Sequence, residues 1–293
     1  MGGRSSLRAI EAWLLLLPAM VLLALFTHWP AVATIIDSFY STPKARRPSR
    51  FVGLENYQQM VADPVFWKAA TNNLWFAVGT IPLSIALALL MAILVNDRIK
   101  GRTLVRMAFF TPTVLPLIAV ANIWLFFYTP QYGLLAQLLS PFGVPDRNWL
   151  GSQETALVCV TAVAVWKEAG FFMLFYLAAL QQLPPHLAEA AALEGTSRWT
   201  FFRRVQFPLL MPTTLFVFVN AVINAFRMVD HLVVLTKGGP DNASTLLLYH
   251  IYQVGFSYWD TGYAAAITVV LLGTLALIAA LQYGVLERRI HYR

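Results

Sequence analysis

Six stretches of this chain are apolar and long enough to cross a bilayer as helices, which takes roughly 20 mostly apolar residues. Only 12% of the 293 residues are charged, whereas an ordinary soluble domain has about 25%. The apolar runs leave no room between them for a large soluble domain. We therefore predict an all-α, polytopic membrane protein that forms one transmembrane domain over residues 1–293. The six predicted spans are residues 12–36, 72–95, 107–128, 155–180, 208–226 and 263–286.

The first apolar stretch also has features of a secretory signal. Arg4 and Arg8 precede it, and the tripeptide 31–33, Ala-Val-Ala, resembles a signal-peptidase cleavage site. The apolar run is longer than the core of a usual signal peptide. This length favours an uncleaved first span.

The distribution of Lys and Arg predicts how the spans are oriented. If the N-terminus is cytoplasmic, the segments on the cytoplasmic side hold more of these residues than the outer segments do. This is the charge bias of membrane proteins. A basic cluster between Lys44 and Arg50 argues for the opposite orientation, but it belongs to a moderately long loop, and long loops contribute less. We expect both termini to be cytoplasmic.

The segment 186–207, between the fourth and fifth spans, has a helical pattern of a different kind. Pro184 and Pro185 suit a helix start, the following residues are mainly Ala, Leu and Glu, which favour helix, and Gly195 suits a helix end. We predict a short helix, a glycine turn and a second short helix leading into the fifth span. The residues alone leave two interpretations open: a surface that fits a groove of a partner protein, or a connector on the bilayer surface whose arginines meet lipid phosphates.

Several polar residues lie within or near the predicted spans. Lys167 and Glu168 fall near the middle of the fourth span, where charges are costly and usually face a cavity or each other. They either border a solute path or fix the packing of the helices. Arg227, Asp230 and His231 follow the fifth span and either line an outer vestibule or mark the water boundary. The candidate solute-path residues are Trp124, Tyr128, Lys167, Phe171, Asn220, Asn224 and Asp230.

Two prolines are expected to disturb the third span. Pro112 and Pro116 each remove a backbone N–H, which a membrane helix tolerates where neighbouring groups satisfy the freed carbonyls. We expect a kink at this point.

The sequence contains no assembled catalytic or nucleotide-binding pattern. There is no G-x-x-x-x-G-K-[ST] phosphate loop, no Cys/His cluster with metal spacing, and no nucleophile–base arrangement. The net charge of +7 does not come from one basic motif, so nucleic acid is not an expected partner. The chain is expected to hold no cofactor and not to be an enzyme.

One segment resembles a known family signature. Its residues are Glu189-Ala190-Ala191, Gly195, Phe202, Val205, Pro208 and Pro212. They are similar to the E-A-A…G…I…L-P signature of the inner-membrane permease subunits of ATP-binding-cassette importers. The chain departs from that signature at Glu194, where Asp is usual, and at Thr196, where Ala is usual. Further segments resemble the carbohydrate-uptake branch of this family; they are residues 53–57, 148–151, 166–167, 179–181, 235–240, 262–266 and the ending 287–292.

The resemblance implies a mechanism with several partner chains. Two different permease subunits would form the pathway in a bacterial inner membrane, and a periplasmic or lipid-anchored solute-binding protein would deliver the solute. Two ATPase subunits would bind ATP and Mg²⁺ on the cytoplasmic side and move the first short helix of segment 186–207. The residues assigned to this coupling are Glu189, Ala190, Ala191, Glu194, Gly195 and Arg198.

The resemblance also implies a class of solute and leaves rivals to be tested. The carbohydrate-uptake branch imports sugars, oligosaccharides and glycerol 3-phosphate, and the sequence does not choose among them. One rival is a transporter driven by an ion gradient, with Lys167, Glu168 and Asp230 as a relay. The other is a membrane enzyme, although the chain lacks a catalytic constellation.

Overall fold

The computed structural model describes residues 3–43, 47–96 and 100–286. Some of the basic residues used for the orientation prediction lie outside the described residues; they are Lys44, Arg46, Arg98, Arg288, Arg289 and Arg293. The ending 287–292, which was part of the family resemblance, also lies outside them. The chain forms two compact units, one of Met1–Asp63 with Ile251–Gly273 and one of Pro64–His250 with Thr274–Arg293.

The regular structure of the described residues is helical. The helices are α1 (Gly3–Leu23), α2 (Trp29–Asp37), α3 (Glu55–Ala62), α4 (Pro64–Asn96), α5 (Arg102–Val114), α6 (Leu117–Tyr128), α7 (Leu134–Leu139), α8 (Ala156–Gln182), α9 (Pro185–Leu193), α10 (Arg198–Phe201), α11 (Phe207–Leu209), α12 (Met211–Arg227), α13 (Asp230–Leu235), α14 (Leu247–Tyr252) and α15 (Thr261–Leu286). A π-helical turn at Ala24–His28 joins α1 to α2, so the predicted first span is one continuous helical segment. Further π-helical turns follow α10 and α14, at Phe202–Gln206 and Gln253–Ser257.

The smaller unit ties the segment after α2 to the start of α15. The Asn56 amide donates to the backbone carbonyl of Tyr40 at 3.0 Å. The Thr42 hydroxyl donates to Asp260 Oδ1 at 2.6 Å and accepts from the Gly262 N–H at 2.9 Å. A side chain at Gly262 would crowd the Tyr40 carbonyl oxygen. These contacts give this unit a fixed connection between two distant parts of the chain.

The larger unit is organised around α4, α8 and α12. Buried apolar side chains form one cluster that includes Phe76 and Leu232 and a second that includes Phe172 and Leu210. The predicted second and fourth spans coincide with α4 and α8, which are long and apolar enough to cross a membrane. Helix α4 begins at Pro64, before the predicted start of its span, because proline and the apolar residues after it support helix formation there.

The predicted third span is not one continuous helix. It is divided into α5 and α6, which are bent by 105° at the break. Leu115 has an extended conformation with ψ 138°, and Pro116 has ψ 138° as well. A residue before proline is pushed out of the helical region by the proline ring. The expected kink is therefore confirmed, and it is sharp enough to break the helix.

The predicted fifth span extends beyond residue 226. The apolar helical segment runs over Met211–Leu235 as α12 and α13, with a short interruption at Met228 and Val229. His231, which follows this interruption, is fully buried, and its ring centroid lies 5.9 Å from that of Phe76. The interpretation of His231 as a marker of the water boundary is wrong, because the chain re-enters the apolar core after Arg227.

Within the described residues, five helical segments are long and apolar enough to cross a membrane, and the bent pair α5–α6 would make a sixth. The sixth apolar stretch is confirmed as the first part of α15, Thr261–Gln282. The all-α, multi-span character is thus confirmed, and the count of six spans stays a prediction.

Candidate functional site

The segment 186–207 folds as a helix, a glycine turn and a second helix. Helix α9 begins at Pro185 and ends before Gly195, whose φ is +65°. The Thr196 N–H donates to the Ala191 carbonyl at 2.9 Å, and the Gly195 N–H donates to the Ala192 carbonyl at 3.1 Å. This pair of bonds is a Schellman motif, which satisfies the last carbonyls of a helix. The predicted start and stop signals are confirmed.

A second short helix then leads towards α12. The Ser197 hydroxyl accepts a hydrogen bond from the Thr200 N–H at 3.2 Å, which caps α10. The rings of Trp199 and Phe202 follow on this segment, with centroids 5.6 Å apart. The chain continues through a π-helical turn and α11 into α12. The turn at Gly195 therefore separates α9 from the helical path into the fifth span.

Helix α9 and the turn present an exposed surface. Leu193 is 90% exposed and Trp199 is 69% exposed. All the predicted coupling residues are exposed except Ala191, which is half-buried. A pocket of about 430 Å³ lies between this segment and α4, and its lining includes Ala191, Arg198 and Phe202 together with Ile93 and Asn96 of α4. Helix α9 and its turn therefore have apolar side chains available for contact with another molecule.

Lys167 donates hydrogen bonds to three backbone carbonyls at the break between α5 and α6. Its Nζ lies 3.0 Å from the Pro112 oxygen, 3.4 Å from the Thr113 oxygen and 2.7 Å from the Leu115 oxygen. These carbonyls are at the C-terminal end of α5, where the helix dipole favours a positive charge. The ammonium group thus caps the broken helix.

Glu168, the next residue, is held by a different helix. It is buried, and the Asn224 amide of α12 donates to its Oε2 at 2.6 Å. Of the candidate solute-path residues, Lys167 and Asn224 are therefore engaged with protein groups.

The other candidates for the solute path do not form one cluster. Trp124 packs against Tyr128 with ring centroids 5.5 Å apart, and the Tyr128 hydroxyl donates to the Cys159 carbonyl at 3.3 Å. Phe171 packs against Phe175 at 5.1 Å. The Asn220 amide bonds to a carbonyl of its own helix, and Asp230 is exposed. Among the described residues, the contact within this candidate set is the one between Trp124 and Tyr128.

Sequence reasoning missed a clamp formed by Asn72 and Asn73 in the N-terminal third of α4. The Asn72 amide donates to the carbonyls of Asn242 at 2.8 Å and Thr245 at 3.0 Å. The Asn73 side-chain oxygen accepts from the Leu247 N–H at 3.2 Å. These bonds fix the Gly-Gly-Pro loop that precedes α14. Two adjacent Asn residues at the start of an apolar run were a signal for this role.

Gly170 was also missed by the sequence analysis. A Cβ at this position would overlap the Phe109 carbonyl oxygen of α5. The missing side chain lets α5 approach α8 closely enough for Lys167 to reach the break. Among the residues that the structure describes, no group of three or more His, Cys, Asp and Glu is placed to hold a metal ion.

Comparison with known proteins agrees with the pattern of several apolar helices. A family model described as "Binding-protein-dependent transport system inner membrane component" matches residues 81–292. The chain belongs to this family. It is a permease subunit of a binding-protein-dependent transport system, and the resemblance found in the sequence is confirmed.

Curated relatives of this permease cover nearly its whole length. The probable ABC transporter permease protein YurN of Bacillus subtilis is 34% identical over 273 residues, with 92% of this chain and 93% of that protein covered. The sn-glycerol-3-phosphate transport system permease protein UgpA of Brucella abortus is 33% identical over 285 residues, with 97% of each chain covered. The trehalose/maltose transport system permease protein MalF of Thermococcus litoralis is 33% identical over 260 residues, with 88% and 87% covered.

Solved structures share the fold of the permease. A bacterial alginate ABC transporter, in complex with an alginate pentasaccharide-bound periplasmic protein, has a chain with a TM-score of 0.87 and 20% identity, with 98% of this chain and 97% of that chain covered. An amino acid ABC transporter with histidines gives a TM-score of 0.53 and 15% identity over 80% of this chain and 98% of that chain. The fold is that of an ABC transporter permease subunit.

Proposed function

We propose that this permease forms half of the pathway of an ATP-driven importer for a sugar, an oligosaccharide or glycerol 3-phosphate. A second, different permease subunit forms the other half, and two ATPase subunits with bound ATP and Mg²⁺ drive the cycle. A periplasmic or lipid-anchored binding protein delivers the solute. The names of the curated relatives, which include an sn-glycerol-3-phosphate and a trehalose/maltose permease, support this class of solute.

The observation that carries the proposal is the exposed end of α9. Leu193 is 90% exposed and lies directly before the Gly195 turn, and Trp199 follows the turn with 69% exposure. A short helix with one apolar side chain at its tip suits a cleft in a partner protein, in the manner of helix-in-groove recognition. We propose that this partner is the ATPase subunit, with Glu189, Ala190 and Arg198 on the surrounding surface.

This assignment includes the orientation of the chain. Both termini and the segment 186–207 are proposed to face the cytoplasm of a bacterial inner membrane. Arg203 and Arg204 are exposed within this segment, which fits the positive charge bias of cytoplasmic segments. An ATPase on the cytoplasmic side would meet α9 only in this orientation.

Co-purification of the complex tests the ATPase contact. Leu193→Ser is expected to reduce the amount of ATPase recovered with affinity-tagged permease several-fold, because the side chain that fills the cleft is lost. Phe142→Ser is the matched control, since Phe142 is 81% exposed on a different segment. Full recovery of ATPase with Leu193→Ser would count against the assignment.

A second pair of variants tests the turn itself. A Cβ at Gly195 meets no atom within 4 Å, so the constraint on this position is its φ of +65°. Asn adopts this conformation at low cost and Val does not. Gly195→Asn should retain the ATPase, whereas Gly195→Val should lose it at equal permease levels.

Uptake into vesicles tests the energy source and the solute. Vesicles that contain the whole complex and its binding protein are expected to accumulate one of maltose, trehalose or sn-glycerol 3-phosphate only when ATP is present inside. Uptake that continues without ATP and collapses with an uncoupler would favour a transporter driven by an ion gradient.

A further inference from the structure

Lys167 lies near the middle of α8, within a segment that is apolar enough to cross a membrane. A charge at such a position is costly, and it usually marks a functional site or a specific partner. The carboxylate of the neighbouring Glu168 accepts its hydrogen bond from a different helix, from the Asn224 amide of α12 at 2.6 Å. The partners of Lys167 are instead the three carbonyl oxygens of Pro112, Thr113 and Leu115.

Pro116 explains why those carbonyls need a donor. In a continuous α-helix, the Pro112 carbonyl accepts from the backbone N–H of residue 116. Proline has no N–H, and its ring moves Leu115 out of the helical conformation, so the helix cannot supply the missing bond. A backbone carbonyl without a donor is unfavourable in an apolar surrounding. The Lys167 ammonium lies 3.0 Å from this oxygen, where the missing N–H would have donated.

Helix α5 lies close to α8 at the position of this contact. Gly170 lies one turn after Lys167, and a side chain there would overlap the Phe109 carbonyl oxygen. The Thr113 hydroxyl is buried near the same place and has no hydrogen-bond partner among the described residues. The backbone of α5 at this point is therefore packed directly on α8.

We propose that Lys167 is a positioning residue that replaces the hydrogen bond deleted by Pro116 and holds the bend between α5 and α6 against α8. Its charge is committed to protein carbonyls and does not bind the solute. Recognition of an anionic solute such as glycerol 3-phosphate consequently does not depend on this cation. This role rests on the proposed transport function: α5, α6 and α8 keep their relative position while the permease works.

The test combines the accessibility of one cysteine with transport by the assembled complex. The parent is the full-length permease with Thr113→Cys, expressed with its partner subunits in membranes and treated with a membrane-permeant maleimide. Thr113→Cys removes no hydrogen bond of the threonine hydroxyl. The same membranes without this change give the background from the buried Cys159. Uptake is measured separately in permeases that retain Thr113.

Lys167→Met is expected to raise the rate of labelling several-fold and to lower uptake, because the break is no longer capped. Lys167→Arg should label and transport like the parent, since a guanidinium group also donates to carbonyls. The decisive variant is the double change Lys167→Met with Pro116→Ala. It returns an N–H at residue 116, which can donate to the Pro112 carbonyl when α5 continues as an ordinary helix, and should restore slow labelling.

A solute-binding role gives a different pattern. If Lys167 bound the solute, Lys167→Met would lower uptake and leave labelling unchanged, and that pattern would overturn the proposal. Labelling that stays fast in the double variant would overturn it as well. If Lys167→Met does not reach the membrane, recovery of membrane levels by Pro116→Ala supports the proposal and failure to recover contradicts it. Labelling needs neither ATP nor solute. The role of Lys167 can therefore be tested by labelling even if the proposed transport function is wrong.

Discussion

The side-chain amide of Asn224 donates to the Glu168 carboxylate at 2.6 Å and joins α12 to α8. Glu168 is buried, and the Asn224 amide supplies a direct hydrogen bond to its carboxylate. Hydrogen bonds to charged groups are among the strong ones in proteins. The bond therefore fixes the fifth span to the fourth near the centre of the larger unit.

Asn224→Leu is expected to destabilise the permease by about 2–3 kcal/mol, because it leaves a buried carboxylate without its donor. Thermal unfolding in detergent measures the effect. Asn220→Leu is the control, since the Asn220 amide bonds only to the Phe216 carbonyl of its own helix at 2.8 Å. If the two variants lose the same stability, the bond from Asn224 to Glu168 contributes no more than the bond of Asn220 within its own helix.

Gly170→Ala should separate α5 from α8, because the new Cβ would overlap the Phe109 carbonyl oxygen. Overpacking of this kind costs about 1–3 kcal/mol. The matched change is Gly273→Ala in α15, where a Cβ meets no atom within 4 Å. It should be neutral or stabilising by up to about 1 kcal/mol, because Ala favours helix over Gly. The unfolding midpoint of each variant is measured. If Gly170→Ala and Gly273→Ala change the midpoint by the same amount, Gly170 is not the close contact described here.

Asn72→Leu is expected to release the loop before α14, since both bonds from its amide, to Asn242 and Thr245, are lost. Lys237 in this loop is exposed, so trypsin should cleave after it several-fold faster when the loop opens more often. Asn122→Leu, which removes an amide bonded only within its own helix, should leave the cleavage rate unchanged. A cleavage rate for Asn72→Leu equal to that of the parent would argue against the clamp.

Thr42→Val should loosen the start of α15, because the hydroxyl both donates to Asp260 and accepts from the Gly262 N–H. The local free energy of opening is expected to fall by about 1–3 kcal/mol. Hydrogen exchange of the Gly262 amide measures this opening directly. Thr42→Ser keeps the hydroxyl and should exchange like the parent; fast exchange in both variants would point to lost packing rather than to the hydrogen bonds.

Features fixed by neighbouring residues could be predicted from the sequence. The α9 helix, its proline start and its end at Gly195 depend on residues within one short segment, and the structure confirms them. The apolar runs likewise predicted α4, α8 and α15, because hydrophobic length is a local property. The broken third span was foreseen as a kink from Pro112 and Pro116.

Features that depend on distant residues could not be predicted in this way. Lys167 bonds to carbonyls more than 50 residues earlier in the chain, and carbonyls leave no mark on the side-chain pattern. The fifth span was ended too early because Arg227 and Asp230 interrupt the apolar pattern. The burial of His231 arises from its packing on Phe76 of α4, which only the tertiary structure reveals.

The sharp bend at Leu115 and Pro116 has a consequence for the biosynthesis of this permease. The ribosome completes α5 and α6 before it has made Lys167, so the nascent chain contains the uncapped carbonyls first. Until α8 emerges, water at the insertion site or another temporary donor must bind those oxygens. If Lys167 holds the bend as proposed, we expect the final arrangement of α5 and α6 to become stable only after α8, which is synthesised later, packs against them.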